Sequence, residues 1–299
     1  MATPASSPAS LTGLRQHAER LADRLPPLLV AAERVAATVA QGVHGRRRVG
    51  VGETFWQFRP YSPGDSTARI DWRQSARTSQ LFLRDQEWEA AESVWLWADG
   101  SASMAYTSAP SWPTKADRAL LLLLALGSLL TRAGERIALL GRRRRPTGGR
   151  VGMAALCEDL LSRTTAEPSL APVQPLPRFA RMVLISDFFT PLEQLRDRLR
   201  GFVAMGVRGH LLQVLDPAEP ELPFAGRVRF EGLEQDGIAL IGNVDGVRQR
   251  YRGRLAAHRD GLRDLARSFG WTFAGHVCDQ PPEPPLLALY TALSTKAQG

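Results

Sequence analysis

The chain has 299 residues, of which 44% are hydrophobic and 23% charged. That is the makeup of a globular protein whose core needs no stapling. The two cysteines, Cys157 and Cys278, form no Cys-x-x-Cys pair and no ligand cluster, so a disulfide framework is not needed and a reducing cytosol fits. The net charge of +8, from 38 basic and 30 acidic residues, brings nucleic acid into consideration. No zinc-finger spacing, RNP-like aromatic motif or helix-turn-helix accompanies the clusters Arg46–Arg48 and Arg142–Arg145. The bias to arginine over lysine, with abundant Ala, Gly and Pro, is that of a G+C-rich genome. The clusters therefore read as solvated or protein-binding faces, and nucleic acid is not expected.

Residues 1–10 are rich in Pro, Ser and Ala, without the basic and apolar regions of a secretory signal, and read as a disordered tail. Leu14, Ala18, Leu21 and Leu25 recur at helical spacing, prolines 26 and 27 break the run, and Leu28–Val39 resumes it. Residues 11–49 are a helical arm followed by a glycine-punctuated loop. Residues 50–89, with short apolar runs around a Pro63-Gly64-Asp65 turn, read as a small β-rich element. From residue 90 strands and helices alternate. Strands are expected at 93–99, 136–141, 182–187, 209–216 and 271–277. Helices are expected at 114–132, 151–163, 192–205, 247–269 and 286–293. This is the pattern of parallel βαβ units, with a hairpin near Val228–Phe230 and Ile238–Leu240. The longest apolar run, Ala119–Leu130, is too short to span a membrane and reads as a buried helix. A cytoplasmic protein without an integral membrane segment is expected.

In an open parallel sheet ligands sit beyond the carboxyl ends of the strands. Three strands end in aspartate: Asp99, Asp187 and Asp216. Asp99 opens an Asp-x-Ser-x-Ser sequence with Ser101 and Ser103, three oxygen-bearing side chains around one loop. Such a set suits Mg²⁺, which takes oxygen ligands in octahedral geometry and keeps several waters. The same letters also describe an ordinary polar turn with capping serines.

The strand followed by "DGSAS", with "LISD" on a later strand, resembles the metal-ion-dependent adhesion site of von Willebrand factor A domains. That resemblance implies Asp99, Ser101, Ser103 and Asp187 as ligands of Mg²⁺ or Mn²⁺. It also calls for a threonine, for which Thr147 is the candidate and Thr164 or Thr165 the alternative. A second resemblance rests on residues 58–78 and 84–104. Tyr61, Gly64 and Asp65, followed by Ile70, Asp71, Trp72, Ser75, Ala76 and Arg77, match the signature of the bacterial family called domain of unknown function 58. Membership implies a doubly wound, mostly parallel von Willebrand factor A-like α/β sheet over 90–299, and a gene beside a MoxR-type AAA+ ATPase. The signature itself reads as structural, with Asp65, Asp71, Arg73 and Arg77 pairing to fix the small β element.

The expectation is a non-catalytic binding or scaffold protein. An ion with an open position engages an acidic residue of a partner, a MoxR-type ATPase or its client. Arg142, Arg143, Arg144 and Arg145, in the loop after a neighbouring strand, add a second attraction for that acidic surface. The five scattered histidines form no zinc spacing, and no nucleophile elbow or P-loop is present. A metal-dependent hydrolase using Asp99 and Asp187, and nucleic-acid binding through the arginines, are the alternatives.

Overall fold

The computed structural model describes residues 23, 25–41, 55–60, 72–76, 81–86, 93–163, 168–233 and 237–294. The 1–10 tail, the Arg46–Arg48 cluster, Tyr61, Gly64, Asp65, Ile70, Asp71, Arg77, Thr164 and Thr165 lie outside them. Of the signature, Trp72, Ser75 and Ala76 are described, and the Ala76 N–H donates to the Trp72 carbonyl. Trp72 and Ser75 bound a short helix, α2 (Trp72–Ser75), with Trp72 exposed and Ser75 buried. Two strands of the expected β-rich element, β1 (Phe55–Pro60) and β2 (Phe82–Gln86), pair antiparallel. Helix α1 covers 25–41. Residue 23 is helical as well, and the helix runs through the Pro26-Pro27 pair expected to break it.

The remainder is a five-stranded sheet in the order β4-β3-β5-β6-β9. Its strands are β3 (Ser93–Ala98), β4 (Arg136–Leu139), β5 (Arg181–Ser186), β6 (Arg208–Leu215) and β9 (Thr272–Val277). Every pairing is parallel. The crossover helices are α3 (Lys115–Arg132), α4 (Gly149–Leu161), α5 (Leu192–Ala204) and α7 (Asp245–Ser268), and α8 (Glu283–Ser294) closes the described chain. The expected hairpin forms as β7 (Val228–Glu231) and β8 (Ile238–Ile241), after a short helix α6 (Ala218–Glu221).

Alternation along each strand builds two cores. Val94, Leu96 and Ala98 point to one face with α1, α3, α4 and α8, while Trp95 and Trp97 point to the other with α5 and α7. Helix α3 is buried on nearly every side because the sheet lies below it, α4 and α8 pack beside it on the same face of the sheet, and α1 packs against it. That three-layer position is why Ala119–Leu130 is apolar all round without being a membrane span. No helix among the described residues is long and apolar enough to cross a membrane.

The chain runs from β3 out to β4, then returns across β3 to β5, β6 and β9. Counted in the order the chain visits them, the strands lie 2-1-3-4-5. The reversal between β3 and β5 opens a crevice at the carboxyl ends of those two strands. Asp99 follows β3 and Asp187 follows β5, so the topology places both aspartates at that crevice.

Candidate functional site

The Asp99 N–H donates to the Ile185 carbonyl at 2.8 Å, which continues the β3–β5 ladder into the loop. The chain then turns away from the sheet. Ser101 N–H donates to Asp99 Oδ1 at 2.8 Å, and Ser103 lies in a 3-10 turn, Ala102–Ala105. Ser186 Oγ donates to Asp99 Oδ2 at 2.7 Å and accepts the Phe188 N–H at 2.9 Å. Phe188 is left-handed, φ 51°, and its carbonyl is 2.7 Å from His258 Nε2 on α7. A non-glycine residue in that region is strained, and here the Ser186 and His258 contacts fix it. Arg163 donates to the Ala98 carbonyl at 2.6 Å, behind Asp99. Burial pushes the Asp99 carboxyl up to about 6, against the lowering effect of the Ser186 and Ser101 bonds.

The loops converge through side-chain oxygens. Ser101 Oγ and Ser103 Oγ lie 3.2 Å apart, and Ser103 Oγ donates to Asp187 Oδ2 at 2.9 Å. Asp99, Ser101, Ser103 and Asp187 are thus brought together. Thr147 is not. It forms an isolated antiparallel bridge with Ile137, which pairs with Val94 at the amino end of β3. Five residues of strand, about 16 Å, separate that level from Asp99. The physical reason is the direction of the 142–148 loop, which runs back along β4 instead of across the carboxyl end of the sheet.

The same loop carries the four arginines expected to border the site, and none of them reaches it. It leaves β4, the edge strand, one strand beyond β3 and on the far side from β5. Arg142 lines a separate, smaller recess with Leu140 and Pro172. Arg143 and Arg145 are exposed. Arg144 is tied to Glu158 at 2.9 Å and Asp159 at 3.4 Å on α4. An acidic side chain seated at Asp99 and Asp187 would therefore not meet Arg143 or its neighbours.

A residue without a motif occupies the centre instead. Lys115 is the first residue of α3 and is 1% exposed. Its Nζ is 2.8 Å from Asp187 Oδ2 and 2.5 Å from Glu219 Oε1, and lies 5.2 Å from the Phe189 ring centroid. Burial works to lower its pKa, but Asp187 and Glu219 outweigh that and hold the ammonium above its ordinary value. Glu219 is raised by its own burial, with Lys115 opposing, and its Oε2 accepts the Asp216 N–H at 2.8 Å. Asp216, fully buried, accepts the N–H groups of Ser108 and Ala218, both at 2.8 Å. The Gln213 amide nitrogen donates to the Asp187 carbonyl at 2.8 Å. The sequence did carry a signal for Lys115: it is one of only two lysines in a chain with 38 basic residues.

The oxygen spacings of 2.9 and 3.2 Å resemble adjacent corners of a Mg²⁺ octahedron, about 3 Å for ligands at 2.0–2.1 Å. The charges do not fit. An ion on Asp187 Oδ2 would share that oxygen with an ammonium 2.8 Å away. It would lie within about 5 Å of Nζ, where a divalent and a monovalent cation repel by roughly 7 kcal/mol at an effective dielectric of 20. Among the described residues no three His, Cys, Asp or Glu side chains group as a metal site. With Lys115 in place the donor set does not fit a divalent ion.

Beyond Lys115 a cleft of about 830 Å³ opens between this centre, the β7–β8 hairpin and α7. Val247, Arg250, Tyr251 and Arg254 of α7, spaced i, i+3, i+4 and i+7, line one wall. Phe224, Phe230, Leu233 and Ile241 form an apolar opposite wall. Arg250 and Arg254 are exposed. No histidine or cysteine of the described residues lines the cleft. His210 and His276 are buried elsewhere, and burial lowers each to about 4.

The family model described as "Protein of unknown function DUF58" matches residues 57–261. The chain belongs to this family. It is 28% identical to the uncharacterized proteins Rv1480 of Mycobacterium tuberculosis and Mb1516 of Mycobacterium bovis, over 83% of this chain and 81% of theirs. It is also similar to two solved Bacteroides structures. One is an aerotolerance-related membrane protein of Bacteroides fragilis carrying multiple mutations to serine: 13% identity, TM-score 0.38, 67% of this chain and 97% of that one. The other is the conserved hypothetical protein BatB of Bacteroides thetaiotaomicron: 12% identity, TM-score 0.37, 70% of this chain and 100% of that one.

Proposed function

We propose that this DUF58 protein is a non-catalytic binding protein. Its cleft takes an acidic, partly apolar segment of a protein partner. The observation that carries the reading is the α7 wall, where Arg250 and Arg254 flank Tyr251, with Val247 one turn before, across the cleft from an apolar hairpin. Arginine with tyrosine over an apolar floor is the composition of binding hot spots. A net charge of +8 adds long-range attraction for an acidic surface. At the inner end of the cleft Ser103, Asp187, Lys115 and Glu219 are engaged with one another, which favours binding over turnover. The resemblance drawn from the sequence suggests the partner class, a MoxR-type AAA+ ATPase or the client it remodels. In this reading the acid is recognised by α7, because Lys115 is already satisfied by two carboxylates and has no charge to spare.

The test is binding of a purified MoxR-type ATPase encoded beside this chain, followed by biolayer interferometry over a salt series. Arg250→Glu/Arg254→Glu should weaken binding at least tenfold, mainly through slower association, and flatten the salt dependence. Affinity unchanged by the double reversal refutes the cleft as the docking face.

A further inference from the structure

Lys115 is a buried cation at the start of a helix, held by two carboxylates. It is the first residue of α3, and a helix N-terminus carries partial positive charge that disfavours a cation. It is also among the largest fully buried side chains of the described residues. Asp187 Oδ2, the oxygen that meets Nζ, also accepts the Ser103 hydroxyl. Through that shared oxygen the ammonium reaches the β5 loop and the Asp-x-Ser-x-Ser loop. Through Glu219, whose other oxygen holds the Asp216 N–H, it reaches the loop after β6. One compact cation therefore ties together three of the loops at the carboxyl edge of the sheet.

We propose that the Lys115 ammonium is the resident cation of this centre, standing in for an oxygen-ligated divalent ion, so that the loops are held without metal and Asp187 is closed to divalent ions. Lysine suits the position and arginine does not. An ammonium is a point charge with three rotatable donors, close to a small metal ion in size, whereas a guanidinium is a broad planar fork. In a chain that otherwise uses arginine almost everywhere, the lysine here follows from the size of the space between Asp187 and Glu219. The proposal does not depend on what occupies the cleft, and holds or fails whether or not a partner binds there.

The experiment uses the full chain with Mg²⁺ and Mn²⁺ as probes, by titration calorimetry and by thermal unfolding with metal or with excess chelator. Wild type should give no site-specific heat and the same Tm in both conditions. Lys115→Met, which nearly keeps the volume of the side chain and removes its charge, should melt lower in chelator. It should recover about 5–10 °C when metal exceeds Kd about a hundredfold. Adding Asp187→Asn to Lys115→Met should abolish that recovery. Lys115→Gln, which keeps a neutral donor group, is the milder variant to read if Lys115→Met does not fold. The proposal is overturned if wild type binds Mg²⁺ or Mn²⁺ and Ser101→Ala/Ser103→Ala removes the binding. It is equally overturned if a folded Lys115 variant gains no response to metal.

Discussion

Replacing Lys115 by methionine should destabilise the protein substantially, and the amount follows from its burial. The two ion pairs have side-chain exposures of 1% and 3% to Asp187, and 1% and 14% to Glu219. At that burial, removing one partner strands the other charges away from water, which costs about 3–5 kcal/mol. Relief of a cation at the helix N-terminus returns about 0.3–1 kcal/mol. Methionine fills nearly the same volume, so little cavity is added. A net loss near 3 kcal/mol corresponds to a Tm lower by roughly 6–12 °C. The partner variant separates a stranded charge from lost packing. In Lys115→Met/Asp187→Asn/Glu219→Gln all three charges are gone, while the amide oxygens can still accept from Ser103 and from the Asp216 N–H. Removing a whole buried ionic set is often neutral or stabilising, so the triple variant should lie within about 1 kcal/mol of wild type or above it. Urea unfolding in the presence of chelator measures both. A single variant within about 0.5 kcal/mol of wild type, or a triple variant worse than the single, would refute the argument that a buried charge set holds the loops.

Two further outcomes are expected. A Cβ at Gly209 would lie 2.0 Å from Trp271 Cε3, so Gly209→Ala should cost about 1–3 kcal/mol and quench or shift the tryptophan fluorescence; Gly201→Ala, which meets nothing within 4 Å, is the control. His210 is depressed from 6.5 to about 4 by burial, with Arg181 adding to it. Because the folded value lies below the unfolded one, its contribution to stability is present above pH 6.5 and is lost as pH falls towards 4. Between pH 7 and pH 5 that loss is about 2 kcal/mol, so His210→Gln should show a smaller acid destabilisation than wild type by about that amount, read by urea unfolding at the two pH values. Identical pH dependence in the two proteins would remove His210 as a source.

What the sequence determined by itself is what depends on local pattern. The apolar run within 93–98 marked a strand by itself, and in the structure its Trp95 and Trp97 share one face and Val94 and Leu96 the other because side chains of a strand alternate. The αβ succession called for a parallel sheet, and strands ending at Asp99 and Asp187 put both carboxylates on one edge. Tertiary structure decided what no spacing encodes. Thr147 belongs to the wrong end of the sheet because its loop doubles back along β4, a choice made by backbone pairing with Ile137. That doubling back also carries Arg142, Arg143 and Arg145 away from the crevice, and Arg144 becomes an ion pair with α4 because that helix packs beside it. Lys115, Asp187 and Glu219 are separated in sequence by 72 and 104 residues from the lysine. They meet because three parallel strands present their carboxyl ends to one point. A charge buried at such a meeting point has no local signature, since its stability comes from partners that only the finished sheet brings near. Composition gave the one hint, a lysine retained in a chain of arginines, and only the buried geometry around it supplies the physical reason.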